Sequence, residues 1–276
     1  MFDAKLLTAD LPTISTPWLK NLHTGQCSVY DQNFDQLQQT FIQEADRYFQ
    51  ATKLNTITGL NTFSVREAIM GCNHAIDSLI MQHGLDGLQI FEHDYKYYQR
   101  LDPVIDYAEL GYLVPRKPIL MALPSPGYLG LHPKQYEILD EALSKGCEVH
   151  LDCAWLGAAR GIKFDFSHPA VTSVFMSLSK SMDLWWNRIG IRYTKKQVDT
   201  NPVTIYNQHG MIPSALLKTG LRYIRCVQPD HVWTHFHDRY MAMCQHLYLR
   251  PTAMIHVAQS MDRSQMFGVK KLLERV

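Results

Sequence analysis

Short apolar runs alternate with amphipathic stretches through the middle of the chain. Runs at 87–91, 118–123, 147–151, 173–178 and 189–193 are apolar, bounded by Gly, Pro or polar residues, and predict strands. Between them the period changes. Residues 133–145 open with Pro133, carry Tyr136, Leu139 and Leu143 on one stripe and stop at Gly146, which is how a helix is punctuated. Residues 73–83 hold Ile76, Leu79 and Ile80 at helical spacing ahead of Gly84, and 34–50 reads as a further helix. Such alternation predicts an α/β fold, a mostly parallel central sheet with helices on both faces. From Pro213 onward the pattern turns helical, with one late strand at 253–258 and a short closing helix from Gln265. The chain then divides into an N-terminal helical segment (1–50), a large α/β domain (51–210) and a helical C-terminal segment (211–276).

Composition narrows the classes of function. The 276 residues are 46% hydrophobic and 19% charged, enough for a buried core without disulfide or metal staples. Lys and Arg number 27 against 26 for Asp and Glu, so no bulk field recruits nucleic acid or an anionic membrane. The uncharged stretch 118–133 is broken by Pro124 and Pro126 and cannot cross a bilayer as a helix. Met1-Phe2-Asp3-Ala4-Lys5 carries an acid at once and lacks the long apolar core of a secretory signal. The six cysteines, at 27, 72, 147, 153, 226 and 244, form no C-x-x-C pair and read as reduced thiols of a cytoplasmic protein. His231, His235, His237 and Asp238 invite a metal reading, but Val232 stands where H-E-x-x-H needs its glutamate, and no metal site is expected. Neither G-x-G-x-x-G nor G-x-S-x-G occurs, which leaves nucleotide and serine-hydrolase readings without their motifs.

Sheets of this kind bind ligands beyond the carboxyl ends of their strands, so the residues there carry the chemistry. The run 147–151 leads into Asp152-Cys153-Ala154-Trp155. The run 173–178 contains Ser177 and leads into Ser179-Lys180, with Arg188-Ile189-Gly190 beginning eight residues after the lysine. An acid, a lysine and an arginine at neighbouring strand ends fit a ligand with a basic nitrogen, an aldehyde and a phosphate. Pyridoxal phosphate is such a ligand.

On these residues the chain resembles the fold-type I pyridoxal-phosphate-dependent enzymes, the aspartate aminotransferase superfamily. The pattern S-x-S-K followed by R-x-G matches Ser177, Ser179, Lys180, Arg188 and Gly190, and D-x-x-aromatic matches Asp152 and Trp155. The resemblance runs from about Tyr30 to the end of the chain and is most specific over 118–193. It implies that Lys180 is the Schiff-base lysine and general base, that Asp152 pairs with the pyridinium nitrogen, and that Arg188 and Ser177 hold the phosphate. Gly71-Cys72-Asn73-His74 looks like the family's upstream phosphate loop opening a helix. Tyr95, in Phe91-Glu92-His93-Asp94-Tyr95, is the residue expected to stack on the ring, and Tyr30 the one expected to reach a partner subunit's phosphate.

Three departures mark this chain. Pro124-Ser125-Pro126-Gly127 stands where the family usually has Asn-Pro, so Ser125 replaces the asparagine that meets the ring oxygen. Trp155 replaces the usual tyrosine, and an indole N–H can donate but not titrate as a phenol does. The chain is shorter than typical members at the C-terminus, where the family carries the arginine for the substrate carboxylate. Only Arg250 and Arg263 are candidates for it, by position. The resemblance implies a homodimeric aminotransferase acting on an amino acid or amine. A lyase, decarboxylase or cyclase using the same cofactor and a non-catalytic binder on the same fold are the alternatives.

Overall fold

The computed structural model describes residues 33–84, 86–92, 94–99, 106–184 and 186–274. The first element, α1 (Phe34–Gln50), is capped by Asn33, whose side chain accepts a hydrogen bond from the Gln36 N–H at 2.9 Å. Its stripe of Leu37, Phe41, Ile42, Ala45 and Phe49 is buried against the main core. A short β1 (Thr56–Thr58) follows and pairs in parallel with β7 (Lys163–Asp165).

Among the described residues seven strands form the main sheet, in the order β2-β9-β8-β6-β5-β3-β4. They are β2 (Val65–Ile69), β3 (Gln89–Ile90), β4 (Asp106–Tyr107), β5 (Ile119–Ala122), β6 (Val149–Asp152), β8 (Val171–Ser177) and β9 (Gly190–Thr194). From β4 to β8 every pairing is parallel, and only the pairings of β9 with β8 and β2 are antiparallel. The mostly parallel sheet read from the sequence is therefore present, with strands close to the predicted runs.

Alternation within the strands explains why the runs are apolar throughout. Ile119, Met121, Val149, Leu151, Val174 and Met176 face the larger core beside α1, while Leu120, Ala122 and Phe175 face a second layer on the other side. That second layer is covered by α2 (Cys72–His83), whose Cys72, Ala75, Ile76 and Leu79 are buried, and by Val203 of α5 (Pro202–Gln208). Between β3 and β4 lies the single turn α3 (Lys96–Gln99), and α4 (Gln135–Ser144) leads into β6. Helix α6 (Ser214–Cys226) packs on α1 through Gly220, where a Cβ would fall 2.5 Å from Phe41 Cε2.

The C-terminal part departs from expectation. After α7 (His231–His246) the chain forms a three-stranded antiparallel sheet of β10 (Leu249–Pro251), β11 (Val257–Ser260) and β12 (Met266–Gly268). Residues 253–256 precede the strand instead of forming it, because the Thr252 hydroxyl donates to Met254 O at 2.9 Å and to Val257 O at 2.8 Å and so turns the chain. The stretch beginning at Gln265 is a strand before it becomes α8 (Lys270–Glu274), since Ala258 and Gln259 pair with Phe267 and Met266. Trp233, Phe236, Tyr240, Ile255, Val269 and Leu273 give this part its own apolar cluster.

The cysteine reading is corrected in one respect. Cys72, Cys147, Cys153 and Cys244 are free and buried, but Cys226 is disulfide-bonded. The cysteines therefore do not argue for a wholly reducing compartment. Among the described residues no helix is long and apolar enough to cross a membrane.

Candidate active site

Parallel pairing of β5, β6 and β8 brings their carboxyl ends to one edge of the sheet, and α2 begins at the same edge. Asp152, the last residue of β6, is on the α2 face and is buried. Its Oδ2 accepts the Tyr98 hydroxyl at 2.7 Å, and its Oδ1 accepts the Ala154 N–H at 3.0 Å. Burial pushes its carboxyl above the usual range, while Tyr98, the Cys72 thiol, the Ala154 N–H and the Lys180 charge pull the other way. The outcome is a fixed, desolvated carboxylate that gains from a cationic partner.

Lys180 follows β8 by three residues. Its Nζ lies 4.5 Å from the centroid of the Trp155 ring. Burial, followed by the Arg188 charge, depresses its pKa from 10.5 to about 8, with Asp152 opposing. Trp155 is buried, and its ring meets that of His256 nearly at right angles at a centroid separation of 5.1 Å. Burial first, then the charges of Lys180 and Lys270, holds His256 well below the ordinary histidine range, so its ring is neutral.

The phosphate-loop candidates gather at the start of α2. Gly71 has φ 74°, a left-handed conformation that favours glycine, and a Cβ there would lie 3.0 Å from Arg188 Cβ. Arg188 therefore packs its stem on the loop, and it is exposed. The Ser177 hydroxyl is 2.7 Å from that of Ser179, receives the Ser179 N–H at 3.2 Å, and reaches Ile189 O at 3.4 Å. Cys72 is buried with its thiol on Phe175 O at 3.5 Å, and Asn73 is half-buried beside it. His74 turns away: its Nδ1 accepts the Met70 N–H at 3.3 Å, and its ring meets Tyr206 edge-on at 4.9 Å. Burial, then Arg192, lowers its pKa to about 4, so it offers the loop no positive charge.

Tyr95 is half-buried and edge-on to Tyr98 at 5.7 Å. Ser125 is engaged elsewhere, its hydroxyl donating to Asp94 Oδ1 at 3.0 Å, while the Ala122 N–H donates to Asp94 Oδ2 at 2.7 Å. Burial raises Asp94 to about 7. Tyr30 lies outside the described residues. Arg263 is exposed in the turn between β11 and β12 at φ 66°, and Arg250 is half-buried in β10. The C-terminal charge that acts on Lys180 belongs instead to Lys270.

Sequence reading missed Asp94, Tyr98, His256 and Lys270. Tyr98 could have been chosen from the aromatic run at 95–98, but nothing in the sequence couples it to Asp152. His256 and Lys270 arrive only because the C-terminal sheet packs on Ala158, through the Trp233 indole N–H to Ala158 O at 2.8 Å and the Ile255 N–H to the same oxygen at 3.2 Å.

The donor set fits pyridoxal phosphate: a lysine of lowered pKa, a desolvated carboxylate, paired hydroxyls, an exposed arginine and a glycine-opened helix of 12 residues.

No family model matches the sequence, and no curated relative matches it. Solved structures do match. A Thermus thermophilus aspartate aminotransferase double mutant superposes with TM-score 0.62 at 14% identity, over 91% of this chain and 75% of that one. A pyridoxal-phosphate-bound C–S lyase from Staphylococcus hominis gives TM-score 0.58 at 10% identity, over 91% and 73%. A probable N-succinyldiaminopimelate aminotransferase from Thermus thermophilus gives 0.56 at 18%, over 91% and 78%. The chain has the fold of these enzymes.

Proposed function

We propose that the protein is a pyridoxal-phosphate-dependent enzyme acting on an amino acid or amine, in first place an aminotransferase. The observation that carries this reading is Lys180, with a pKa of about 8, on Trp155 at one strand end while the desolvated Asp152 closes the neighbouring one. When bound, the cofactor supplies an electron sink for negative charge developing on the substrate carbon.

Lys180 Nζ is the covalent anchor. Its lowered pKa lets it exist as the free amine near neutral pH, able to take a proton and return it. Asp152 is the counter-charge for the ring nitrogen, aimed by Tyr98 and Ala154. Ser177, Ser179, Arg188 and the N–H groups opening α2 form the phosphate site, to which Cys72 and Asn73 contribute backbone. Tyr95 would stack on the bound ring, and Trp155 supports Lys180 through its own ring. Lys270, ion-paired with Glu274 at 3.6 Å, is a C-terminal cation whose charge reaches Lys180 and which would meet a substrate carboxylate. The active form is a homodimer, as the resemblance implies.

A second reading, elimination as in the C–S lyase, is favoured by one observation. Ser125 is spent on Asp94, so the hydrogen-bonding tuning of the ring oxygen differs from that expected of an aminotransferase.

The test is the visible spectrum of the purified chain with added pyridoxal phosphate, then borohydride reduction and peptide mapping. A phosphopyridoxyl mass on Lys180 supports the reading, and a chain that takes up no cofactor refutes it. Product formation that requires a keto-acid acceptor separates transamination from elimination.

A further inference from the structure

At the amino-terminal edge of the main sheet a cavity of about 290 Å³ lies between the last turn of α2, the beginnings of β6 and β8, and the end of β9 with the loop that follows it. Glu148 and His150 line it, and His83, the last residue of α2, stands beside them. One ligand atom from each of these three side chains lies within 4.8 Å of the others. Among the described residues no other group of three or more His, Cys, Asp or Glu is so gathered.

The two imidazoles carry the inference. The Nε2 atoms of His83 and His150 are both buried, and neither has a hydrogen-bond partner. A buried ring nitrogen left so requires an explanation, and two of them beside a carboxylate point to a shared ion. The His150 side chain is 6% exposed, and its Nδ1 lies 2.7 Å from the Ser173 hydroxyl. If Nδ1–H donates to that oxygen, the Nε2 lone pair faces Glu148, whose Oε2 is 3.9 Å away, too far for a hydrogen bond. Of the three cations that line the cavity, Lys196 is exposed and the two more buried ones are engaged. Arg192 is ion-paired with Glu67 and donates to Asn201 Oδ1 at 2.6 Å, and Lys195 Nζ donates to His168 O at 3.0 Å.

We propose that His83, His150 and Glu148 form a binding site for a divalent cation of the zinc class. Two imidazoles and one carboxylate select such an ion over magnesium or calcium, which prefer oxygen ligands. Three protein ligands leave a fourth position open to water or a small anion in the cavity. Zinc bonds of about 2.0–2.2 Å require the three ligand atoms to draw together. The closure falls to the groups free to move: Glu148, whose side chain is 56% exposed, and His83, which precedes Gly84 at the helix end. Binding therefore clamps the end of α2 to the start of β6. This inference does not depend on the cofactor reading.

The test is calorimetric titration of the full chain with zinc after dialysis against a chelator, with metal analysis of the dialysed complex. One zinc per chain is expected, together with a zinc-dependent rise in melting temperature. His83→Gln and Glu148→Gln are expected to abolish the stoichiometric binding. Ser173→Ala, which removes the nearer of the two hydroxyls at Nδ1 and leaves that of Thr172 at 3.4 Å, is expected to weaken it roughly 10-fold. Because Glu148 is exposed, its variant folds normally and keeps the test independent of misfolding. Absence of stoichiometric zinc overturns the proposal. Equal affinity in wild type, His83→Gln and Glu148→Gln also overturns it, by locating the ion elsewhere, such as the stacked His231 and His235 rings 5.5 Å apart.

Discussion

Holding a lysine ammonium on an apolar strand end should weaken the fold, and Lys180→Met measures by how much. The depression from 10.5 to about 8, at about 1.4 kcal/mol per pH unit, makes the charged amine unfavourable by roughly 3 kcal/mol at neutral pH. The Trp155 face, 4.5 Å from Nζ, returns about 1–2 kcal/mol of that as a cation–π contact. The substitution is thus expected to stabilise the cofactor-free protein by roughly 1–2 kcal/mol at pH ~7. The sign with pH follows from linkage. The folded-state pKa lies below that of the unfolded chain, so the unfolded chain binds more protons between about 8 and 10.5, and wild-type stability gains from this group as pH rises through that window. Lys180→Met lacks the gain, so its advantage over wild type shrinks across the same window. Urea unfolding of both proteins at several pH values is the assay, and their difference cancels the tyrosines that titrate nearby. A variant less stable than wild type at neutral pH, or a difference that does not change from pH ~8 to ~10, would refute the account of Lys180 as a strained amine.

Three further outcomes are expected. Asp94 is raised from 3.8 to about 7 by burial, so its contribution to stability is highest below about pH 4 and is lost progressively as pH rises to about 7. Asp94→Asn should then gain on wild type by roughly 2–3 kcal/mol between pH ~5 and pH ~8 in thermal or urea melts. Tyr98→Phe removes the hydroxyl on Asp152 Oδ2, which should destabilise the fold by about 1–3 kcal/mol and weaken pyridoxal phosphate uptake, read by urea melts and spectroscopic titration. Glu67→Gln leaves Arg192 buried without its counter-charge and should lose about 3–5 kcal/mol in the same melts, a loss below about 1 kcal/mol counting against the pair as the strut between β2 and β9.

The central sheet was legible because its strands are buried on both faces. Such strands cannot alternate with polar residues, so they surface as apolar runs, and 118–123 and 173–178 frame β5 and β8 closely. Helix α1 was readable to its ends because Asn33 caps it and its stripe is regular. Lys180 and Asp152 could be singled out for the same reason, since they stand at or just beyond the ends of readable strands, and Arg188 stands just before one.

The C-terminal sheet was not readable in this way. Leu249–Pro251 and Met266–Gly268 are short and mixed in polarity, and only their pairing with β11 makes them strands. The fine assignment of the site also lay outside the sequence. Ser125 and His74 sit at the right place in the chain, yet one is hydrogen-bonded to Asp94 and the other turned onto Tyr206. Tyr98 joins Asp152 across 54 residues, and His83 approaches His150 only because α2 runs back along the same face of the sheet. Local patterning determines which segments become strands and helices, because burial and periodicity act on neighbours along the chain. Which polar atoms meet, and which are left wanting a ligand, is decided by packing between distant segments, and that is set only when the whole fold closes.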